Sequence, residues 1–290
     1  MSSASPPVPL PAGRPVLLPG RGQTFVREAP GPLGAPTLLL LHGWTVTADL
    51  NWFACYAPLA EHFRVVAMDH RGHGQGIRSR RPFRLEDCAD DAAALAAELG
   101  IERLIPVGYS MGGPVAQLLW RRHPDLVAGM VLSATACSFS SPDARSRVYF
   151  SALLGLSVAA RITPQHVRRQ VADNLIRRRL QGAVLADWGQ SEMERSDPGA
   201  VLEAGWAIGR FDSSGWIGEA HVPVSVIVTS LDQVVSPRRQ HALAAAVPGA
   251  GLLEVEGDHG ACVTDAARFV PALLDACTDV AARADLPVPE

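Results

Sequence analysis

Short apolar runs recur along the 290-residue chain, and their lack of polar alternation predicts strands that are buried on both faces. These runs cover residues 37–41, 64–68, 104–107, 126–133, 224–229 and 252–255. Helical patterns separate several of them, at residues 85–99, 237–246 and 266–282. Strands that alternate with helices are typical of a parallel sheet covered by helices. The pattern therefore predicts an α/β fold with a mostly parallel, doubly wound sheet.

The alternation is interrupted between residues 139 and 216, where helical patterns continue without a convincing strand. Because this block separates two predicted strands that should be neighbours, it predicts a helical cap inserted above the carboxyl edge of the sheet. The α/β core then consists of residues 21–138 and 217–290. The proline- and glycine-rich residues 1–20 are expected to form a flexible N-terminal arm.

The predicted cap contains two groups of residues with a potential role at a substrate pocket. Helical pieces are expected at residues 200–209 and 213–219. Trp188 and Trp206 either line an apolar pocket or pack as ordinary core residues. A run of arginines is most simply a solvated helix face, although one guanidinium could bind an anionic group of the substrate. The run consists of Arg168, Arg169, Arg177, Arg178 and Arg179.

Composition narrows the class of protein. With 48% hydrophobic and 19% charged residues the chain can bury a sizeable core, and its net charge of −3 gives no indication of nucleic-acid binding. Five scattered cysteines without a C-x-x-C spacing are typical of reduced thiols in a cytoplasmic protein. The chain has no signal-peptide pattern and no run of about 18 apolar residues. The expectation is a cytoplasmic protein without a membrane span.

The strongest chemical signal is the segment Gly108-Tyr109-Ser110-Met111-Gly112, which fits the pattern G-x-S-x-G. An apolar run precedes it and a helical pattern follows it, which is the strand–turn–helix context of a nucleophile elbow. The flanking glycines leave room for a sharp turn, and the helix N-terminus directs free N–H groups at the serine. The short motif also occurs by chance, but in this context it predicts Ser110 as a nucleophile.

A nucleophilic serine needs a general base and a group that orients the base. In a hydrolase sheet the acid and the histidine follow the serine in chain order. Asp232 and His259 each follow one of the last two predicted strands. Asp258 is an alternative acid, although adjacent side chains on an extended loop diverge. The sequence thus predicts a catalytic triad of Ser110, His259 and Asp232.

Other residues near the predicted site have simpler interpretations or accessory roles. His70 and His73 lack the cysteine or carboxylate neighbours of a metal site, and His42 precedes a tight turn, where a structural role is expected. The oxyanion of a tetrahedral intermediate needs two N–H donors. The predicted oxyanion hole uses Met111, which follows the nucleophile, and Trp44, in the turn after the first strong strand.

Together these segments resemble the α/β-hydrolase family of serine hydrolases, of the esterase and lipase type, over roughly residues 25 to 282. The resemblance is carried by His42-Gly43-Trp44, Asp69-His70-Arg71-Gly72-His73-Gly74, Gly108-Tyr109-Ser110-Met111-Gly112-Gly113, Asp232 and Gly257-Asp258-His259. It implies that the segment from Asp69 to Gly74 is a structural turn. Epoxide hydrolases and haloalkane dehalogenases share the fold but use an aspartate nucleophile, so Ser110 argues against both.

The resulting hypothesis is a serine hydrolase that cleaves a carboxylic ester of a small molecule through an acyl-enzyme, with no metal and no organic cofactor. An acyltransferase or thioesterase would use the same triad and give the acyl group to another acceptor. A non-catalytic, hydrolase-like binding protein is a further alternative, although binding alone does not need all three residues. The sequence makes no prediction of the acyl chain or of the oligomeric state.

Overall fold

Eight strands form a sheet in the part of the chain that the computed structural model describes, residues 6–139 and 186–289. They are β1 (Gly13–Leu18), β2 (Gly22–Ala29), β3 (Thr37–Leu41), β4 (Arg64–Met68), β5 (Ile105–Tyr109), β6 (Met130–Ser133), β7 (Val224–Thr229) and β8 (Gly251–Val255). Their order across the sheet is β1-β2-β4-β3-β5-β6-β7-β8. Strand β2 is antiparallel to both of its neighbours, and all other neighbouring strands are parallel. The predicted mostly parallel α/β sheet is confirmed.

Helices cover both faces of this sheet. They are α1 (Ala48–Trp52), α2 (Tyr56–Ala60), α3 (Leu85–Glu98), α4 (Gly112–Arg122), α5 (Ala186–Glu194), α6 (Pro198–Arg210), α7 (Pro237–Ala246), α8 (Ala261–Thr264) and α9 (Ala266–Arg283). Because side chains alternate along a strand, Leu39 and Leu41 share a core with α3, α4 and α7. Leu38 and Leu40 share the opposite core with α1, α2 and α9. Of the described helices, none is long and apolar enough to cross a membrane.

Most predicted elements agree with the structure to within a few residues, and the differences have local causes. Strand β6 begins at Met130 rather than at residue 126, because Pro124–Leu126 forms a 3₁₀ turn. The helix predicted at residues 213–219 is reduced to a 3₁₀ turn at Ile217–Glu219. Helix α7, by contrast, spans the predicted residues.

The flexible arm predicted for residues 1–20 is wrong where the chain forms β1. Gly13–Leu18 pairs along its whole length with β2, and Val16 and Leu18 are buried against the core. The proline- and glycine-rich composition of this segment gives little indication of a strand. The strand forms one edge of the sheet, and its apolar side chains alternate between the core and the surface.

The described part of the predicted cap consists of α5 and α6, which lie in the chain between the neighbouring strands β6 and β7. Polar contacts join both helices to the loops that follow β3 and β4. Thr47 Oγ1 donates to Glu192 Oε2 at 3.0 Å, and the Phe83 N–H donates to Glu203 Oε2 at 2.8 Å. The arginine run and the other helical patterns predicted between residues 140 and 185 lie outside the described residues.

Candidate active site

Ser110 lies at the turn between β5 and α4, in a strained backbone conformation. Its φ is 51°, in the left-handed region, and its N–H donates to the Ser133 carbonyl oxygen at 3.0 Å. The Thr135 hydroxyl donates to the Ser110 carbonyl oxygen at 2.9 Å. A Cβ at Gly112 would collide with the Leu41 carbonyl group, so this position of the turn needs glycine. The turn presents the serine hydroxyl at the carboxyl edge of the sheet.

His259 and Asp232 approach Ser110 from the loops that follow β8 and β7. Ser110 Oγ lies 2.9 Å from His259 Nε2, and His259 Nδ1 lies 2.7 Å from Asp232 Oδ2. Because an ionised carboxylate can only accept, the imidazole carries its proton on Nδ1, and Nε2 is left to accept from the serine hydroxyl. The structure therefore brings the three residues predicted for the triad into one hydrogen-bonded chain.

The Asp232 side chain is completely buried at the end of β7. Its Oδ1 accepts from the N–H groups of Val234 and Val235 at 2.8 and 2.9 Å. Burial alone raises the pKa of the Asp232 carboxyl, but the hydrogen bond and charge of His259, together with these two N–H groups, lower it below its ordinary value. The carboxyl is therefore ionised, the form that orients an imidazole.

Two further buried side chains bind Oδ2 of Asp232. Thr229 Oγ1 donates to it at 2.9 Å, and Gln240 Nε2 donates to it at 3.1 Å. The sequence does not predict these two contacts. A threonine at the end of a strand and a glutamine within a helix are common, and nothing local shows which side chain each of them binds.

The alternative acid, Asp258, has other partners. Its side chain is exposed, and its Oδ1 accepts from the Gly260 N–H at 2.8 Å and lies 3.4 Å from Thr264 Oγ1. These contacts place Asp258 at the beginning of α8. None of its described hydrogen bonds reaches the His259 ring.

Tyr109, the variable residue before the nucleophile, supports the histidine loop. Its hydroxyl donates to the His259 carbonyl oxygen at 2.9 Å, and its ring packs edge-on against Phe269 and Trp52. Burial raises the pKa of Tyr109 well above its ordinary value, so the hydroxyl stays protonated. The motif treats this position as unrestricted, so the sequence does not predict the contact.

The turn after β3 lies beside the nucleophile. A Cβ on Gly43 would be 3.4 Å from Ser110 Cβ. The Gly43 N–H is already bound to Asn51 Oδ1, at 2.9 Å. The backbone N–H groups of Trp44 and Met111, by contrast, donate to no residue that the structure describes. Both are available to a substrate oxygen, and their role as the oxyanion hole stays a prediction.

The three tryptophans of the predicted site have different surroundings. The Trp44 indole Nε1 donates to the Val201 carbonyl oxygen of α6 at 2.7 Å, which joins the turn after β3 to the predicted cap. Trp188 on α5 is buried and packs edge-on against Phe53. Trp206 on α6 is half-buried, and the guanidinium of Arg210, the last residue of α6, lies over its ring. A pocket role for Trp188 and Trp206 stays a prediction.

Three buried histidines, His42, His70 and His73, pack together next to the turn after β3. His42 Nδ1 lies 2.7 Å from the Gly43 carbonyl oxygen, and its Nε2 accepts from the His70 N–H at 2.9 Å, so His42 is the neutral Nδ1–H tautomer. Burial lowers the pKa of His70 to about 3 and that of His73 to about 4, which keeps both rings neutral. Among the residues that the structure describes, no cluster of potential metal ligands occurs. The two hydrogen bonds of His42 fit the structural role expected for that residue.

The segment from Asp69 to Gly74 forms a turn that connects two core loops. Asp69 Oδ1 accepts from the Ala48 N–H at 2.9 Å, and Oδ2 accepts from the Gln75 N–H at 2.8 Å. The carboxylate thereby links the loop after β4 to the beginning of α1, which is the structural role that the resemblance implies.

The chain is similar in sequence to a known protein family and to individual known proteins. The family described as alpha/beta hydrolase fold matches residues 36–266. A bifunctional esterase/perhydrolase of Acinetobacter calcoaceticus is 39% identical over 104 residues, which are 35% of this chain, and the match spans 37% of that protein's length. A putative carbamate hydrolase of Serratia proteamaculans is 29% identical over 245 residues, which cover 83% of this chain and 90% of that protein.

The fold is also shared with solved structures. A thermophilic esterase from Thermogutta terrifontis superposes with a TM-score of 0.75 at 22% identity, over 93% of this chain and 99% of that chain. The family match begins just before β3, ends at the beginning of α9, and encloses Ser110, Asp232 and His259. The chain therefore belongs to the α/β-hydrolase fold family.

Proposed function

We propose that the protein is a serine hydrolase that cleaves a carboxylic ester through an acyl-enzyme intermediate. The observation that carries the proposal is the chain from Ser110 Oγ through His259 to Asp232, with distances of 2.9 and 2.7 Å. It combines a nucleophile, a base and an orienting acid at a strained turn. The relatives named as an esterase/perhydrolase and a carbamate hydrolase support hydrolysis at a carbonyl carbon.

In the acylation step, Ser110 Oγ attacks the ester carbonyl carbon while His259 Nε2 takes the hydroxyl proton. The Asp232 carboxylate stabilises the imidazolium that forms. The backbone N–H groups of Met111 and Trp44 stabilise the negative oxygen of the tetrahedral intermediate. When the intermediate collapses, the alcohol leaves with the proton from His259, and the acyl group stays on Ser110.

Water completes the cycle in the deacylation step. His259 takes a proton from the water molecule that attacks the acyl carbon, and it returns this proton to Ser110 Oγ as the carboxylic acid leaves. An alcohol or thiol in place of water would give acyl transfer through the same residues. Analysis of the product therefore separates hydrolysis from transfer.

In this proposal α5 and α6, the described part of the predicted cap, form the roof of the acyl pocket. The hydrogen bond between Trp44 Nε1 and the Val201 carbonyl oxygen, at 2.7 Å, supports this arrangement, because it bonds α6 to the turn that supplies an oxyanion donor. Trp188 and Trp206 are the proposed pocket residues on α5 and α6.

Ester hydrolysis by a Ser110→Ala variant tests the proposal. We expect the wild-type protein to hydrolyse short-chain p-nitrophenyl esters and the variant to lose activity by about 10⁴-fold or more while it stays folded. Ser214→Ala, which removes an exposed hydroxyl, is the matched control and should keep full activity. A folded Ser110→Ala protein with near-wild-type turnover would refute the proposal.

A further inference from the structure

A buried glutamine on α7, Gln240, bonds the proposed catalytic acid to neighbouring segments. Its side chain is completely buried, and its Oε1 accepts from the Thr229 N–H at 3.0 Å. Its Nε2 lies 2.7 Å from the Val235 carbonyl oxygen, 3.1 Å from Asp232 Oδ2 and 3.0 Å from Thr229 Oγ1. Gln240 therefore joins the end of β7 to the turn that carries Asp232.

These partners fix the orientation of the Gln240 amide. An amide nitrogen has two hydrogens, and because the Val235 carbonyl oxygen accepts one, the other points between Asp232 Oδ2 and Thr229 Oγ1. The reversed amide would direct its oxygen at two acceptors, the Val235 carbonyl and the Asp232 carboxylate. It would also direct its nitrogen at the Thr229 N–H, which is a donor. A single orientation thus satisfies every partner.

The same oxygen of Asp232 that faces His259 receives the other side-chain donors. The Thr229 hydroxyl donates to Oδ2 at 2.9 Å, next to the Gln240 amide. His259 Nδ1 is the third donor, at 2.7 Å. Because an ionised carboxylate has acceptor sites alone, this environment matches the charged acid and holds its plane in one direction.

We propose that Gln240 is a positioning residue. Its amide holds Asp232 Oδ2 in line with His259 Nδ1, and its hydrogen bond partly neutralises the negative charge of the carboxylate. The inference rests on the proposed function of Ser110, His259 and Asp232 as a triad. Each hydrogen bond to Oδ2 partly neutralises the negative charge of the carboxylate, the charge that stabilises the imidazolium during catalysis. Without the Gln240 donor, the carboxylate is freer to rotate and attracts the proton on His259 more strongly.

The two residues next to Gln240 in the chain, Arg239 and His241, have partners elsewhere. Arg239 Nη1 donates to the Phe139 carbonyl oxygen. His241 Nε2 lies 3.2 Å from Glu254 Oε1 on β8. Neither side chain bonds to the amide of Gln240, so His241 offers a matched control position on the same helix.

Among the residues that the structure describes, His259 and Tyr109 are the titratable groups that interact electrostatically with Asp232. The Tyr109 hydroxyl is bound to the His259 carbonyl oxygen and stays protonated. In the part of the chain that the structure describes, a pH effect of a Gln240 variant can therefore be assigned to the Asp232–His259 pair.

The pH dependence of kcat/KM on a p-nitrophenyl ester tests the proposal. The base accepts a proton only in its neutral form, so kcat/KM should fall on the acid side. In Gln240→Met we expect the midpoint of this fall to rise by about half to one pH unit, and kcat to drop about tenfold, because an ionised acceptor loses one donor. In Gln240→Glu, the Asp232 carboxylate and the Val235 carbonyl oxygen favour the protonated form of the new carboxyl, whose single proton should leave the midpoint between those of the wild type and Gln240→Met. His241→Gln should keep the wild-type profile.

An NMR measurement gives a second readout that does not depend on turnover. The downfield resonance of the His259 Nδ1–H proton should shift in Gln240→Met and stay in place in His241→Gln. A midpoint and a resonance that are both unchanged in the folded Gln240 variants would overturn the inference, even if kcat fell. If the wild-type protein neither hydrolyses esters nor reacts with a fluorophosphonate, the proposed function fails instead, and the resonance still decides the role of Gln240.

Discussion

Asp232 and Asp258 compete for His259 in the sequence, and the structure separates them by their hydrogen bonds. Asp232 Oδ2 lies 2.7 Å from His259 Nδ1, whereas Asp258 Oδ1 accepts from the Gly260 N–H. Adjacency along the chain is therefore a poor indicator of which carboxylate an imidazole faces. The order of residues after the strands, in contrast, leads to the correct geometric partner.

Replacement of the two acids distinguishes their roles. Asp232→Asn should lower kcat for ester hydrolysis by about 10³- to 10⁴-fold, because the amide favours the wrong tautomer of His259. Asp258→Asn should have a small effect on kcat, because its carboxylate binds the beginning of α8. If Asp258→Asn proves the more damaging change, the carboxylate that orients the base is not Asp232.

The sequence predicts the residues of the proposed triad but not those that support it. Ser110, Asp232 and His259 all follow strands, and the motif and chain order restrict where they can lie. Asn51 and Gln240 lie within helices, and the groups they bind, such as the Gly43 N–H, become neighbours only after the elements pack. Their contacts depend on tertiary structure, so no local pattern reveals them.

At the level of elements, the uniformly buried strands are predictable from the sequence, whereas β2, an inner strand that carries charged side chains, is not. Strands β3 and β7 are buried at every position, which gives continuous apolar runs. Strand β2 contains Arg27 and Glu28, whose charges are paired with Asp49 and Arg64 from other segments. Because these partners lie far away in the chain, the charges in β2 make it resemble a loop.

The attachment of the cap to the core can be tested at Trp44. Trp44→Phe keeps an aromatic ring but removes the indole donor to the Val201 carbonyl oxygen. We expect a loss of about 1 kcal/mol in the free energy of unfolding, because α6 loses a hydrogen bond to the turn after β3. If α6 forms the proposed roof of the pocket, KM should also rise by an amount that varies with acyl-chain length. Trp120→Phe on α4 is the control, because the Trp120 indole Nε1 has no hydrogen-bond partner among the described residues. Unchanged stability and an unchanged chain-length profile in Trp44→Phe would contradict this role.

For the molecule as a whole, buried titratable groups next to the site link stability to pH. Burial lowers the pKa of all three histidines: well below the ordinary value for His42, to about 3 for His70 and to about 4 for His73. Burial raises the pKa of the Asp69 carboxyl to about 7. Below about pH 6.5 the unfolded chain takes up protons on these histidines that the folded protein does not bind. Asp69 acts in the opposite direction, because its folded carboxyl keeps a proton that the unfolded chain releases above about pH 4. Burial also raises the pKa of Asp91 and Glu192, by less than that of Asp69, and the three histidines outweigh these carboxyls together.

We therefore expect the free energy of unfolding to fall as the pH decreases from about 6.5 to about 4.5. Urea denaturation at about pH 7 and about pH 5 measures the difference. His241→Gln, which removes an imidazole that is not buried, should show the same difference as the wild-type protein. A protein that is equally stable or more stable at the lower pH would show that these histidines are not held neutral.

Covalent labelling shows whether Ser110 is the nucleophile that forms an acyl-enzyme. The protein would be treated with a fluorophosphonate, and the intact mass and the modified peptide would be determined by mass spectrometry. We predict one adduct per chain, located on Ser110, with loss of ester hydrolysis in proportion to labelling. Full labelling at another residue, or full hydrolysis by a protein labelled at Ser110, would show that Ser110 is not the nucleophile of ester hydrolysis.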